Sequence, residues 1–241
     1  MIKVELLEYT PNPDKVIATA AKLCYSSKSV SELVESVNED EDKTAAFVER
    51  LMSYGHMSPF EHLSFTFGIE GVSRTLTHQL VRHRIASYSQ KSQRYVNEKE
   101  FEYITPPSIQ ANDEALGCYE AVMKMLNNAY GKLVDLGIPK EDARYVLPNA
   151  CETKIIVTMN ARSLFNFFNH RCCMRAQWEI RQMAYQMLKL VKEVAPETFK
   201  NAGASCDTLG YCVEGNMSCG RYPTLNDILT NFKSKGENKN V

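Results

Sequence analysis

The sequence predicts an α+β fold: a mixed or antiparallel sheet with packed helices and a helical C-terminal part. Three observations carry this. Leu63, Phe65, Phe67 and Ile69 alternate with Ser64, Thr66, Gly68 and Glu70, the period of a half-buried strand. Trp178 to Val194 gathers Ile180, Met183, Ala184, Met187, Leu188 and Val191 on one stripe, the pattern of an amphipathic helix that packs on a core or a subunit interface. Helical and strand-like segments alternate irregularly, with consecutive helices near the C-terminus, which fits α+β rather than a repeated strand–helix unit.

The elements follow in order. Met1 to Tyr9 reads as a strand, with Lys3, Glu5 and Glu8 breaking any apolar run, so no signal peptide is expected there. Asn12-Pro13-Asp14 is a helix start, with Asn12 as N-cap and Pro13 in the first turn, and the helix is expected to reach about Ser26. One helix is expected from near Ser31 to Tyr54, stopped by Gly55. After the strand at Leu63, a helix should cover about Val72 to His83. Residues 84 to 112 show no clean period, and Pro106-Pro107 marks a loop. Leu116 to Leu136 is helical up to Gly137, and Lys154 to Thr158 is a second strand. Asn160 then caps a helix carrying Leu164, Phe165 and Phe168. The last ten or so residues, rich in Lys, Asn and Gly, suggest a frayed tail. The expected division is a single domain over 1–205 and a Cys-containing C-terminal extension and tail over 206–241.

Composition narrows the function. The chain has 241 residues, enough to bury a sizeable core. The formal net charge is −1, whereas a protein built on non-specific nucleic-acid binding is usually basic. No stretch approaches the ~20 apolar residues of a membrane span. A cytoplasmic protein is expected, and its eight cysteines then read as reduced thiols. No G-x-G-x-x-G follows a strand and no P-loop is present, which argues against a Rossmann cofactor site and a P-loop hydrolase.

Charge is segregated. Gly71 to Asn97 contains no Asp or Glu but holds Arg74, Arg82, Arg84, Lys91 and Arg94. Thr153 to Trp178 is equally free of acids and holds Lys154, Arg162, Arg171 and Arg175. Unpaired arginines are costly to bury, so they lie on a solvated face or meet an anion. Ser87, Ser89, Gln90, Ser92, Gln93 and Tyr95 interleave neutral donors with the cations, a mixture suited to a phosphorylated ligand with a ring edge to read. Arg82, His83 and Arg84 point about 100° apart on a helix, so they serve two ligands or two parts of a large one. From Arg162, Asn166 and Asn169 follow at +4 and +7 on one polar face, whereas Arg171 falls on the side of Leu164 and Phe168.

Arg82-His83-Arg84, seven residues and then Ser92 resembles the R-H-R-x7-S signature of flavin-dependent thymidylate synthases, and the run from Arg82 to Tyr95 resembles that family's substrate loop. Gly55 to His62, Arg144 to Pro148, and Asn160 to Leu164 with Asn166 and Arg171 resemble further family blocks, in family order, followed by Ala176 to Arg181. The resemblance implies a cytoplasmic methyltransferase of nucleotide biosynthesis: a flavoprotein that converts dUMP to dTMP with FAD, with NADPH as reductant and 5,10-methylenetetrahydrofolate as carbon donor, in a homotetramer with shared active sites. It implies FAD contacts from Ser58, Arg82, His83, Arg84, Gln90, Asn160, Ala161, Arg162 and Asn166. It places dUMP against Gln79, Leu80, Val81, Arg82, Gln90, Lys91, Ser92, Gln93, Arg94, Arg144 and Arg171, with His56 near flavin and folate. Arg171, beside the uracil N3/O2 edge, is the implied catalytic residue. Gln90 stands where some members carry Glu, and Arg175 near a position where some carry His.

Two other readings compete. Tyr88 and Tyr95 among basic residues would suit a single-stranded nucleic acid. His56 with His62, or Cys206, Cys212 and Cys219 with Cys172-Cys173, would suit a metal, but the cysteine spacings do not match a C-x2-C knuckle, and no metal is expected.

Overall fold

Alternation and helical stripes set the elements of the computed structural model, which describes residues 1–237. In chain order they are β1 (Lys3–Tyr9), α1 (Pro13–Leu23), α2 (Val30–Asn38), α3 (Glu41–Ser53), β2 (Ser64–Ser73), α4 (Arg74–Leu80), β3 (Ser87–Gln90), α5 (Pro107–Gln110), α6 (Asp113–Asp135), α7 (Lys140–Ala143), β4 (Glu152–Asn160), α8 (Ala161–Arg171), α9 (Trp178–Val194), α10 (Pro196–Phe199), α11 (Ser205–Leu209) and α12 (Leu225–Glu237). Short 3-10 turns lie at Ser58–His62, Arg144–Val146 and Gly215–Met217. The four strands form one antiparallel sheet in the order β1-β2-β4-β3. This is the expected α+β class.

Two compact units divide the chain. One comprises Met1–Val4 and Gly68–Val157, the other Glu5–Phe67 and the chain from Thr158 onwards. In the first, Phe101, Met123 and Cys151 form a core against which Tyr103, Tyr119, Leu126, Leu147 and Ala150 pack. Gly71 lies within β2 at φ +68, and a Cβ would collide with the Met1 carbonyl oxygen, so only glycine fits. In the second, Phe199 joins three rings: Phe65 and Phe168 edge-on at 5.4 and 6.3 Å, and Phe165 stacked at 5.1 Å. The expected stripe of α9 is its buried face, from Ile180 to Val191.

Several boundaries differ from expectation. Asn12 does not cap α1: it lies at φ 50 with no side-chain cap bond, and the helix stops at Leu23 rather than Ser26. The single helix expected over 31–54 is two, because Asp40 leaves the helical region and its carboxylate caps α3 through the Lys43 N–H at 2.9 Å. The helix expected from Val72 begins at Arg74, since β2 continues to Ser73, whose hydroxyl caps the Leu76 N–H at 3.0 Å. β3 and α5 occupy a stretch without a readable period. In the C-terminal segment, Thr224 and Asp227 form a reciprocal cap at the start of α12, and that helix runs to Glu237 through part of the expected tail. Residues 238–241 of that tail lie outside the described residues.

Candidate active site

The basic triple follows α4. After Leu80 the chain tightens, with the Arg82 N–H on the Gln79 carbonyl at 3.2 Å and the His83 N–H on the Leu80 carbonyl at 3.0 Å. The Tyr88 hydroxyl, on β3, lies 3.0 Å from the Leu80 carbonyl oxygen and 2.6 Å from that of His83, and donates its one proton between them. Tyr88 thereby ties the triple back to the sheet. Arg82 and Arg84 are exposed and bond to no acid among the described residues, while His83 is half-buried. Leu80 is buried, Gln79 half-buried and Val81 exposed.

The loop that follows is largely engaged with its own chain. The Gln90 amide donates to the Thr77 and Thr153 hydroxyls at 3.0 and 3.3 Å. Lys91 reaches Glu98 at 3.2 Å. Ser92 Oγ accepts the Arg94 N–H at 3.2 Å and shares no hydrogen bond with a base among the described residues. Gln93 is buried. The Arg94 guanidinium donates to Glu141 through Nε at 3.0 Å and Nη2 at 2.9 Å. Arg144 Nε donates to the Glu141 carbonyl at 3.1 Å. Burial pushes the Arg74 guanidinium below its usual pKa, and the nearby Arg144 charge adds to the effect.

The remaining residues lie in the other unit. His56 and Ser58 are exposed around the 3-10 turn at Ser58–His62. Asn160 caps α8, its side-chain oxygen accepting the Ser163 N–H at 2.8 Å. Arg162 and Asn166 share the exposed face of α8, and Arg162 is ion-paired with Glu61. Ala161 is buried beneath them, its N–H on the Leu63 carbonyl at 3.0 Å. The helix does continue to Arg171, which by its spacing falls on the side of buried Leu164 and Phe168, and is half-buried and bonded to no acid among the described residues.

The acid-free windows therefore have two fates. Lys91, Arg94, Lys154, Arg162 and Arg175 pair with Glu98, Glu141, Glu70, Glu61 and Glu214, all from outside both windows. Arg74, Arg82, Arg84 and Arg171 have no carboxylate partner among the described residues, and of these Arg74 donates to the Lys91 carbonyl at 3.3 Å. Sequence reasoning missed Tyr88 as a tie and these glutamates as partners. A lone Tyr or Glu in a polar stretch carries no periodic signal, and the partners lie as far as 101 positions apart.

Cys151 and Cys172 are sealed in the interior. Burial pushes the Cys151 and Cys172 thiols up to about 12. Both are thus neutral at working pH. Iodoacetamide at pH 8, followed by peptide mass spectrometry, should label these two only after the chain is unfolded. Replacing Cys24, Cys118, Cys151, Cys172 or Cys173 by Ala should leave turnover of folded enzyme within about tenfold, because losing an essential nucleophile costs far more. The same thiols set an alkaline limit. Their stabilisation is complete below the ordinary value of 9.0 and is lost as pH rises towards about 12, since only the unfolded thiols ionise in that window. Among the described residues no group of three or more His, Cys, Asp or Glu is placed to hold a metal, and no helix is long and apolar enough to cross a membrane.

The family described as "Thymidylate synthase complementing protein" matches residues 5–197. The flavin-dependent thymidylate synthase of Clostridium tetani is 54% identical over 243 aligned positions, covering 94% of this chain and 96% of the relative. That of Geobacter sulfurreducens is 54% identical over 222 positions, covering 91% and 94%. That of Pyrococcus abyssi is 44% identical over 225 positions, covering 90% and 91%. With near full-length matches at this identity, the chain belongs to the flavin-dependent thymidylate synthase family.

Proposed function

We propose that this chain methylates dUMP to dTMP, with 5,10-methylenetetrahydrofolate as carbon donor and FAD and NADPH as the reducing system. The observation that carries the site assignment is that the guanidiniums of Arg82, Arg84 and Arg171 make no hydrogen bond or ion pair among the described residues, whereas Lys91, Arg94, Lys154, Arg162 and Arg175 pair with acids and Arg74 and Arg144 donate to carbonyls. A dinucleotide pyrophosphate and a nucleotide phosphate are the anions such a set would meet. The donors fit FAD: Arg82 and Arg84 would face the pyrophosphate, while exposed Ser58 and Asn166 offer neutral hydrogen bonds. His83, Gln90, Asn160, Ala161 and Arg162 complete the proposed flavin group. Asn160 and Gln90 act in part through the caps and hydroxyls they already hold. The bound flavin would supply the hydride equivalent that NADPH delivers.

The protein's own work is binding, orientation and electrostatics. Arg144 and the Ser92 to Arg94 segment would take the dUMP phosphate, with Gln79, Leu80 and Val81 shaping the nucleotide side. Arg94 would exchange or share Glu141 on binding. Arg171 would lie against the uracil N3/O2 edge, where a planar guanidinium offers two parallel donors and stabilises negative charge developing on the ring. Ser92 would act as a hydrogen-bond donor, since no base among the described residues is placed to deprotonate it. His56 would border the flavin and folate. The catalytic domain is proposed as 1–205, with 206–241 as an extension. The enzyme is proposed to be cytoplasmic and to work as a homotetramer with shared active sites.

Adding dUMP to FAD-supplemented enzyme should accelerate NADPH oxidation, and dTMP should form when the folate is present. Light scattering should return about four times the 27.4 kDa chain mass. Absence of flavin binding in a titration of the folded protein would overturn the functional reading; a monomer with full turnover would overturn only the shared-site assembly.

A further inference from the structure

Every polar group of Lys91 is committed within the protein. Its N–H donates to the Lys154 carbonyl at 3.0 Å, and its own carbonyl accepts Arg74 Nη1 at 3.3 Å. Its ammonium lies 3.2 Å from Glu98 Oε2 and 3.8 Å from Glu152 Oε2, on a side chain only 17% exposed. The other Glu152 oxygen accepts the Gly71 N–H at 3.0 Å, at the glycine where only a missing Cβ lets β2 pass Met1. Glu98 is 4% exposed, and its N–H donates to the hydroxyl oxygen of fully buried Tyr130 at 3.2 Å. Its Oε1 has no hydrogen-bond partner among the described residues.

A buried carboxylate with one idle oxygen is retained only against a strong opposing charge, and among the described residues Lys91 is the one cation within bonding distance. A phosphate brought to the same ammonium would face two carboxylates at once. Its attraction to one positive charge would be outweighed by repulsion from two negative ones at similar range. Lys91 is therefore ill placed as a phosphate ligand, although it sits inside the nucleotide loop. What it does control is where that loop begins. Ser92, Gln93 and Arg94 leave directly from a residue fixed by two backbone bonds and two ion pairs.

We propose that Lys91 is a positioning residue: with Glu98 and Glu152 it sets the register of the Ser92 to Arg94 segment for the nucleotide, and does not itself touch the phosphate. This rests on the reading of that segment as the dUMP site. Positioning of this kind matters because small displacements of a binding group cost large factors in affinity and rate.

The test is calorimetric titration of dUMP into FAD-loaded wild type, Lys91→Met, Glu98→Gln and the double variant. Loss of stability alone would not alter Kd in the folded, flavin-loaded fraction. Each single variant should raise Kd about tenfold, and the double variant should also stand near tenfold rather than a hundredfold, because residues acting as one unit are not additive. Glu98→Gln that binds dUMP as tightly as wild type or tighter, beside a weakened Lys91→Met, would make Lys91 a direct ligand and overturn the proposal. Unchanged Kd in every variant would also overturn it. If Lys91→Met does not fold, Glu98→Gln and the double variant still decide: equal weakening supports the proposal, and wild-type affinity in Glu98→Gln ends it. Wild type that binds flavin but not dUMP would instead overturn the functional reading on which the proposal rests.

Discussion

Arg171→Ala should lose most dTMP formation, by about 2–4 kcal/mol or roughly 30- to 1,000-fold, by analogy with the removal of a donor to developing negative charge. The structure gives three reasons to expect a chemical rather than a structural effect. By its spacing the residue falls on the apolar side of α8, that of buried Leu164 and Phe168, where a solvated helix would not place a cation. It bonds to no acid among the described residues, so its charge is not consumed internally. It is also half-buried, where an electrostatic contact is less screened than at the open surface. Arg171→Lys keeps the charge without the planar fork and should recover only part of the loss. Flavin occupancy should survive, because Arg162 and Asn166 lie on the exposed face of the same helix. A cation in the last turn also favours the helix dipole, at about 0.3–1 kcal/mol, so a modest fall in melting temperature is expected as well. Turnover and bound flavin measured on one Arg171→Ala sample separate the two contributions. Full turnover per bound flavin would remove Arg171 from the chemistry and leave it only the helix end.

Phe199→Ala should destabilise the protein by about 3–5 kcal/mol, as large-to-small changes of buried aromatics do. Phe199 is fully buried and contacts Phe65, Phe165 and Phe168. Edge-on and stacked ring pairs add to simple area burial, and the truncation would leave a void among three rings that cannot all collapse into it. Two of those rings belong to α8, so the change should also loosen the helix that carries Arg162, Asn166 and Arg171. Leu209→Ala is the control: at 49% exposure it should fall within about ±0.5 kcal/mol. Urea unfolding of both variants at one protein concentration, without added ligand, checks this, since bound ligand or changed oligomer content would shift the midpoints. Equal midpoints for the two variants would show that the aromatic cluster does not hold this unit together.

Several features are legible in the sequence alone. The β2 alternation, the buried stripe of α9, the Asn160 cap and the run of α8 to Arg171 depend on contacts within a few residues. Local spacing therefore reports them directly. The ordered motif blocks identified the family for the same reason, since each is a short contiguous string. What the sequence left open was everything decided by a distant partner. Whether residues 31–54 make one helix or two depended on Asp40 finding an N–H to cap. β3 has no hydrophobic period because it is a four-residue edge strand, held by the sheet and not by its own pattern. Acid-free windows looked like continuous basic surfaces, and folding brought glutamates from elsewhere to five of their nine cations. Sequence fixes how many charges a segment carries, because composition is local. Only the tertiary structure decides which of them stay available for an anion, because a carboxylate some tens of residues away can neutralise a cation at 3 Å as fully as a neighbour could.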